Sequence, residues 1–264
     1  MIDHTYKELT VASCDRIATV TLNRPAVLNA VNGLLHTELS RVFRGIADDD
    51  GVDVVILTGA GKAFCAGGDL DWLQSMVDDP AAFNGIIEEA KAIVFSLLDL
   101  PKPVICRMNG DAIGLGATLA LCCDVVVATD TARWGDPHVR VGLVAGDGAA
   151  VILPHVVGYL RAKELLLTGD LLSAAEAERF GLVNHVVPEA ELDKKVAGIA
   201  GKLARGATQA IRWTKIAVNK GLRQFADAQM DALIGYEALS SRTADHAEAV
   251  AALRQRRKPR FAGR

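Results

Sequence analysis

The sequence lacks the cysteine pattern of a zinc site and any long hydrophobic run. Its five cysteines are an odd number with no Cys-x-x-Cys spacing, which argues against zinc and is typical of a reduced, cytoplasmic compartment. The longest apolar runs, such as 54–57 and 125–128, are far too short to span a membrane. No secretory signal is recognisable. A net charge of -3 gives no indication of a nucleic-acid partner.

Hydrophobic periodicity predicts an α/β protein with a helical C-terminal region. The first two thirds alternate between strand and helix patterns, which is typical of a mainly parallel sheet covered by helices. After about residue 188 the chain is rich in Ala, Leu, Lys and Glu with helical spacing. We therefore divide it into a core, residues 1–188, and a helical region, residues 189–264. Strands are expected over 6–22 (two, around a turn at 13–15), 52–58, 104–108 and 124–128, and helices over 32–47, 81–98 and 115–121.

Two glycine-containing turns, residues 62–70 and 109–116, each follow a predicted strand. Small residues let a ligand approach the backbone, and the second turn opens a helix, whose first N–H groups are unpaired. Two such turns could aim two N–H donors at one oxygen, which would form an oxyanion hole. The alternative is that both are ordinary tight turns. Dinucleotide binding is not predicted, because Leu119 stands where the fingerprint needs a third glycine.

The sequence resembles the crotonase family, also called the enoyl-CoA hydratase/isomerase superfamily, and these two turns are among the segments that match it. The resemblance runs from about residue 6 to Phe261. It implies a crotonase-like spiral of ββα units, an acyl-coenzyme A thioester as substrate with no separate cofactor, and a homotrimer or dimer of trimers assembled through the helical region. The matching pieces are Leu22-Asn23-Arg24-Pro25, Asn29-Ala30, 62–70, Asn109 to Asp124, Phe180-Gly181-Leu182-Val183 and Arg256 to Phe261.

The resemblance also implies which residues bind the substrate. The oxyanion donors would be the backbone N–H groups of Ala66 and Leu115, and the leucine side chain would narrow the acyl pocket. Phosphate pairing suits Arg24, with an exposed arginine at a strand end as the alternative. We interpret Asp69 as structural, holding the first turn. The expected contacts with coenzyme A and substrate are Arg24, Ala26, Leu28, Ala63, Ala66, Gly67, Gly68, Asp69 and Leu70.

The two glutamates that a typical hydratase of this family uses are absent, and Thr118 and His138 stand in their places. An imidazole titrates near pH ~6.5 and suits general acid–base work, so His138 is a catalytic candidate, with a satisfied loop histidine as the alternative. Thr118 could hold a water or bond its own backbone. Asp147 could supply a further acid or serve as a helix N-cap.

Roles are also expected for other charged and aromatic side chains. Trp134, Asp136 and Arg140 flank the His138 segment and could shape the acyl pocket, with Trp134 as a substrate contact. The basic C-terminus is either a solvated tail or a contact for a coenzyme A phosphate. Ordinary surface or packing roles are expected for His4, His36, His155, His185 and His246.

The sequence thus predicts an enzyme that processes an acyl-CoA thioester, foremost by adding water to a 2-enoyl-CoA. The missing glutamate pair keeps other reactions of the same oxyanion hole open: isomerisation, decarboxylation or thioester hydrolysis. A further alternative is a trimer that binds acyl-CoA without catalysis.

Overall fold

The computed structural model describes residues 6–264, and strands and helices alternate over most of this range. The strands are β1 Leu9–Cys14, β2 Ile17–Leu22, β3 Val54–Gly59, β4 Val104–Met108, β5 Ala112–Ile113, β6 Val125–Thr129, β7 Arg133–Gly135, β8 Leu172–Ser173 and β9 His185–Val187. The helices are α1 Gly33–Ala47, α2 Leu70–Asp78, α3 Ile87–Asp99, α4 Leu115–Leu121, α5 Ala149–Val157, α6 Tyr159–Thr168, α7 Ala174–Arg179, α8 Glu189–Ala204, α9 Thr208–Ser240 and α10 Ala244–Arg254.

The main sheet has six strands in the order β1-β2-β3-β4-β6-β9. Only β1 and β2 pair antiparallel, and every other neighbouring pair is parallel, which confirms the mainly parallel sheet. A second, three-stranded sheet has the order β5-β7-β8. Because β5 lies in the second glycine turn, this small sheet helps to fix that turn beside the main sheet.

Local sequence signals explain where the first helices begin. The side chain of Asn32 caps α1 by accepting from Leu35 N at 2.8 Å, and the apolar stripe of α1 is fully buried. Asp69 caps α2 in the same way, so a helix that the periodicity did not predict follows the first glycine turn at once. The helix expected over 81–98 begins only at Ile87, because residues Ala82–Ile86 form a 3-10 turn.

The C-terminal region is helical, as the composition predicts. Helix α8 packs on the main sheet, whereas α9, 33 residues long, packs on α3 and α5, and α10 packs on α2. The basic tail folds back onto α10, where Glu248 binds Arg257 at 2.5 Å and Asp245 accepts from Gly263 N at 2.9 Å. Among residues 6–264, no helix combines the length and apolar character needed to cross a membrane.

Candidate active site

The two glycine turns lie side by side and are hydrogen-bonded to each other. Cys65 N donates to Asp111 O at 3.0 Å, and Ile113 N donates to Cys65 O at 2.9 Å. A Cβ on Gly116 would lie only 2.5 Å from Cys65 O, so this close approach requires glycine. The predicted convergence of the two turns is therefore present in the fold.

The second predicted donor is available, because Leu115 is the first residue of α4 and its N–H has no partner within the helix. Among the described residues no other group accepts from it. The preceding Gly114 has φ 55°, which reverses the chain just before the helix. A Cβ on Gly114 would lie 3.7 Å from Gly67 Cα, so the helix start adjoins the first turn.

The first predicted donor is already bonded. Ala66 N donates to Leu28 O at 3.1 Å, so the expectation of two unpaired N–H groups needs correction. The cause is the backbone at Leu28 and Asn29, whose left-handed φ values of 55° and 57° bring this segment against the glycine turn. Ala66 N–H can therefore donate to an oxyanion only if its hydrogen bond to Leu28 O breaks or if it donates to both oxygens at once.

A cavity of about 650 Å³ opens beside the two turns, within the usual size range of small-molecule sites. A smaller cavity of about 350 Å³ lies against the outer side of the turns and includes the predicted contacts Leu28 and Ala63. Ala66 and Ile113 line both cavities, so the two spaces meet at the glycine turns. The large cavity has an apolar wall formed by Trp72, Leu73, Met76, Phe83, Ile86, Ile87 and Ala90.

His138 lines the large cavity close to the glycine turns, and two aspartates contact its ring. Its Nδ1 is in a very short contact with Asp136 Oδ1, and its Nε2 is 3.8 Å from Asp147 Oδ2. A Cβ on Gly114 would lie 3.6 Å from His138 Cε1, which places the ring next to the start of α4. His138, Asp147 and Leu115 all line the cavity, so an acid–base pair and an N–H donor face one space.

Thr118 and Asp147 form a buried pair. Thr118 Oγ1 donates to Asp147 Oδ1 at 2.9 Å, so the threonine does not bond its own backbone. The N-cap residue of α5 is Gly148, not Asp147. Asp147 Oδ2 is buried and has no hydrogen-bond partner among the described residues. Buried polar atoms are normally satisfied, so this oxygen is free to bind a water or a ligand.

The charges around this cluster determine its protonation. Burial by itself would lower the pKa of His138, but Asp136, Asp147 and Glu237 together raise that pKa well above its ordinary value. Burial raises the pKa of Asp147, and the nearby Asp136 carboxylate adds to this while His138 opposes it. The arrangement therefore favours an imidazolium beside a carboxyl group that is more basic than usual.

The same cluster contains the ligand atoms for a possible cation. One atom each from Asp136, His138 and Asp147 lies within 4.8 Å of the others. The absence of a metal stays a prediction.

Arg24 differs from both of its sequence interpretations. It is mostly buried, and its guanidinium binds Glu8 at 2.8 Å and Asp69 at 2.9 Å. Two carboxylates neutralise its charge, so phosphate pairing would require Arg24 to leave them. Asp69 has the structural role that was expected, since it caps α2 and binds Arg24. Ala26 lies in the exposed 3-10 turn Pro25–Val27 and lines neither cavity.

Trp134 does not contribute to the large cavity and is a correction to the predicted substrate contacts. Its side chain is 1% exposed, and its Nε1 donates to Ala117 O at 3.3 Å, so it packs in the core. Arg140 does line the cavity while it is ion-paired with Asp170. The remaining predicted contacts, Gly67, Gly68, Asp69 and Leu70, line the large cavity as well.

His36, His246 and Glu237 are ionisable residues of the cavity that were not predicted to belong to the site. His36 and His246 were expected to be ordinary, but both line the cavity, and His36 Nδ1 is 2.9 Å from Glu89 Oε2. Glu237 of α9 lines it too. Its signal was present in the sequence, since Glu237 continues the apolar stripe of Met230 and Ile234 at helical spacing. His4 lies outside the described residues.

Together these features define an α/β protein whose cavity joins an apolar wall to an N–H donor and a buried acid–base cluster. A family model for enoyl-CoA hydratase/isomerase matches residues 13–264, and the chain belongs to this family.

Individual relatives agree over nearly the whole length. The chain is 37% identical over 250 residues to a 1,2-epoxyphenylacetyl-CoA isomerase from Escherichia coli (strain K12), covering 94% of this chain and 95% of the relative. It is 35% identical over 258 residues to a crotonyl-CoA hydratase from Syntrophomonas wolfei, covering 97% and 98%. A crystal structure of an enoyl-CoA hydratase/isomerase from Mycobacterium paratuberculosis superposes with a TM-score of 0.90 at 35% identity, covering 94% of this chain and 99% of that one. This confirms the fold predicted from the motifs.

Proposed function

We propose that the protein adds water across the double bond of a 2-enoyl-CoA thioester. The observation that carries this proposal is the common cavity of Leu115, His138 and Asp147, which brings an N–H donor and two proton-transfer groups to one end of a space with an apolar wall. Hydration of a conjugated thioester needs these parts: a donor for the carbonyl oxygen, a base for water and an acid for the α-carbon.

In the proposed mechanism the thioester oxygen accepts a hydrogen bond from Leu115 N–H and gains negative charge as water attacks the β-carbon. Asp147 takes a proton from that water, which Thr118 helps to hold. The imidazolium of His138 gives its Nε2 proton to the α-carbon. Asp136 keeps the ring oriented through Nδ1. The raised pKa values support this division of roles, because a protonated imidazole and an unusually basic carboxylate are what the two steps need.

The coenzyme A portion would lie in the smaller cavity and the acyl chain in the larger one. The shared lining residues Ala66 and Ile113 support this arrangement, since the thioester would then pass the glycine turns. Substrate entry would draw the Leu28 carbonyl away from Ala66 N–H and complete the second oxyanion donor. Lys62 of the smaller cavity supplies positive charge near the expected phosphates, whereas Arg133 of the same cavity is ion-paired with Asp111. No cofactor beyond the coenzyme A of the substrate is proposed, and the location proposed is the cytoplasm.

The direct experiment is incubation with crotonyl-CoA and longer 2-enoyl-CoAs while the absorbance of the conjugated double bond is followed. We expect this absorbance to fall and the product mass to rise by that of one water. Unchanged 2-enoyl-CoA would contradict hydration, and tight acyl-CoA binding without turnover of enoyl, β-keto or malonyl-type thioesters would support a binding protein.

Double-bond isomerisation is the second candidate. It is favoured by the fact that one histidine with flanking carboxylates can move a proton between carbons. The similarity to the 1,2-epoxyphenylacetyl-CoA isomerase supports an isomerase in general, since the substrate in that relative's name is an epoxide. A product of unchanged mass with a shifted double bond would identify this reaction. Decarboxylation and thioester hydrolysis would instead release carbon dioxide or free coenzyme A.

A further inference from the structure

Glu237 lies in the cavity wall but transfers no proton in the proposed hydration. The core-facing stripe of α9 contains Met230 and Ile234, both about 1% exposed. The same face continues to Glu237 and then Ser241, spaced as neighbours on one side of a helix. Both line the cavity, so the stripe changes from apolar to polar where α9 reaches the space.

No group in the described part of the chain satisfies the Glu237 carboxyl. It accepts no hydrogen bond and has no cation at ion-pair distance, whereas Asp136 contacts His138 and Asp147 accepts from Thr118. Glu237 is half-buried, and a carboxyl group with reduced access to water and no protein partner costs free energy that an apolar side chain would avoid. Packing therefore does not account for a glutamate at this position.

Two other residues that line the cavity, His246 and Ser241, also have unused hydrogen-bonding capacity. The ring of His246 donates from Nδ1 to Val141 O at 2.7 Å, which leaves its Nε2 as an acceptor. Burial lowers the pKa of His246, and the nearby charge of His138 adds to this, so the ring stays neutral. Ser241 Oγ donates to Ala238 O at 2.9 Å and retains its own lone pairs.

We propose that Glu237 binds an oxygen substituent on the acyl chain, so that the preferred substrates are acyl-CoA thioesters with a carbonyl or hydroxyl oxygen beyond the β-carbon. The position follows from the fold. A Cβ on Gly146 would lie 2.8 Å from Glu237 Oε2, so the carboxyl packs directly over the turn that carries Asp147. Asp147 is proposed to hold the water that attacks the β-carbon of the substrate. Because Glu237 is next to Asp147, its carboxyl group would meet the part of the acyl chain beyond the β-carbon. This inference rests on the proposed acyl-CoA function.

Glu237 is suited to donate to such an oxygen at neutral pH. Loss of water around the carboxyl raises its pKa to about 8, with His138 opposing and both Asp147 and Asp136 adding to the rise. Below that pH the neutral carboxyl donates a hydrogen bond to a substrate carbonyl, and above it the carboxylate repels the same oxygen. The titratable groups that face Glu237 are His138, Asp136, Asp147 and His246.

Binding of saturated thioesters tests the inference without any turnover. The probes are 4-oxopentanoyl-CoA and 5-oxohexanoyl-CoA, each compared with pentanoyl-CoA or hexanoyl-CoA by titration calorimetry. We expect one of the ketones to bind about five- to tenfold more tightly than its parent, the worth of one good hydrogen bond. In Glu237→Leu the preference should fall below about twofold, whereas Glu237→Gln should keep most of it because the amide donates.

The pH dependence separates recognition from a structural role. Between pH 6.5 and pH 9.5 the preference for the ketone should disappear in the wild type but persist in Glu237→Gln, which cannot ionise. This comparison remains decisive if Glu237→Leu does not fold. Binding of the parent thioesters with no ketone preference, or an unchanged preference in Glu237→Leu, would overturn the inference alone. Failure of every thioester to bind would overturn the proposed function.

Discussion

His138 and Asp147 have unusual surroundings for residues that replace two glutamates. Both face the cavity, and the neighbouring carboxyl groups of Asp136 and Asp147 favour the protonated form of the imidazole. In the proposed mechanism this makes the histidine the acid and the aspartate the base. The two roles are set by environment, since burial raises the pKa of Asp147 while the surrounding carboxyl groups raise that of His138.

Replacement of His138 by alanine should lower kcat on the best 2-enoyl-CoA at least about a hundredfold, because the α-carbon loses its proton donor. His155→Ala is the matched control, since that histidine is exposed and lies outside the cavity, and it should stay within about twofold of the wild type. Steady-state kinetics with both variants checks this. Similar activity of the two variants would remove His138 from the mechanism.

The rate should depend on pH in a bell shape. His138 must be protonated to act as the acid, so activity falls as pH rises through its raised pKa. Asp147 must be ionised to act as the base, so activity falls as pH decreases through a pKa that lies above the ordinary value for aspartate. The profile of kcat for Asp147→Asn should lose its acidic limb. An alkaline limb that survives in His138→Gln would show that another group supplies the proton.

The sequence identified several side chains of the site, but it did not identify the groups that other predicted side chains contact. The segment around His138 and the position of Asp147 followed from matching motifs, and the structure brings them together. The ion pair of Arg24 with Glu8 and the hydrogen bond of Trp134 with Ala117 could not be predicted from the sequence, because these groups come together only when the chain folds. The hydrogen bond from Ala66 to Leu28 is hidden for the same reason.

At the scale of elements, the close contact of the two glycine turns is the feature most sensitive to one added methyl group. In Gly116→Ala the new Cβ would meet Cys65 O at 2.5 Å, so the turns must separate. We expect the free energy of unfolding to fall by about 1–3 kcal/mol and the activity to fall with it. Gly198→Ala in α8 has open space and should be neutral or slightly stabilising. Equal denaturation midpoints for the two variants would show that this contact is unimportant.

The periodicity predicted the long helix α1 and the short helix α4, but it missed other short helices. Helix α1 has a strong apolar stripe and a capping asparagine, and it was predicted within one residue of each end. Helix α2 has only nine residues and one buried side chain, and it was not predicted although Asp69 is a good N-cap. The 3-10 turn before α3 has helix-like spacing, which made the predicted helix too long at its start. Such short pieces depend on tertiary packing.

At the scale of the whole molecule, large apolar side chains remain exposed on helices of both the core and the C-terminal region. On α9 they include Trp213 at 69% and Val218 at 74%, and on α6 Leu160 at 86%. An isolated chain would leave this surface in contact with water, which supports the proposal that the helical region joins copies of the chain.

Light scattering coupled to size-exclusion chromatography should give about 84 kDa for a trimer or about 168 kDa for a dimer of trimers, against 28.0 kDa for one chain. Assembly is expected because burying apolar surface between subunits is favourable. A mass that stays near 28.0 kDa at micromolar concentration would contradict this prediction.

The central claim is that the backbone N–H of Leu115 stabilises charge on the thioester oxygen. Proline removes that N–H, yet it is tolerated as the first residue of a helix, and the flexible Gly114 precedes it. The most direct test is kcat of Leu115→Pro on the best 2-enoyl-CoA, with Leu115→Ala as the control that keeps the donor. We predict a loss of about a hundredfold or more for proline and less than about fivefold for alanine, with unchanged Tm. A folded proline variant as active as the alanine variant would contradict the account.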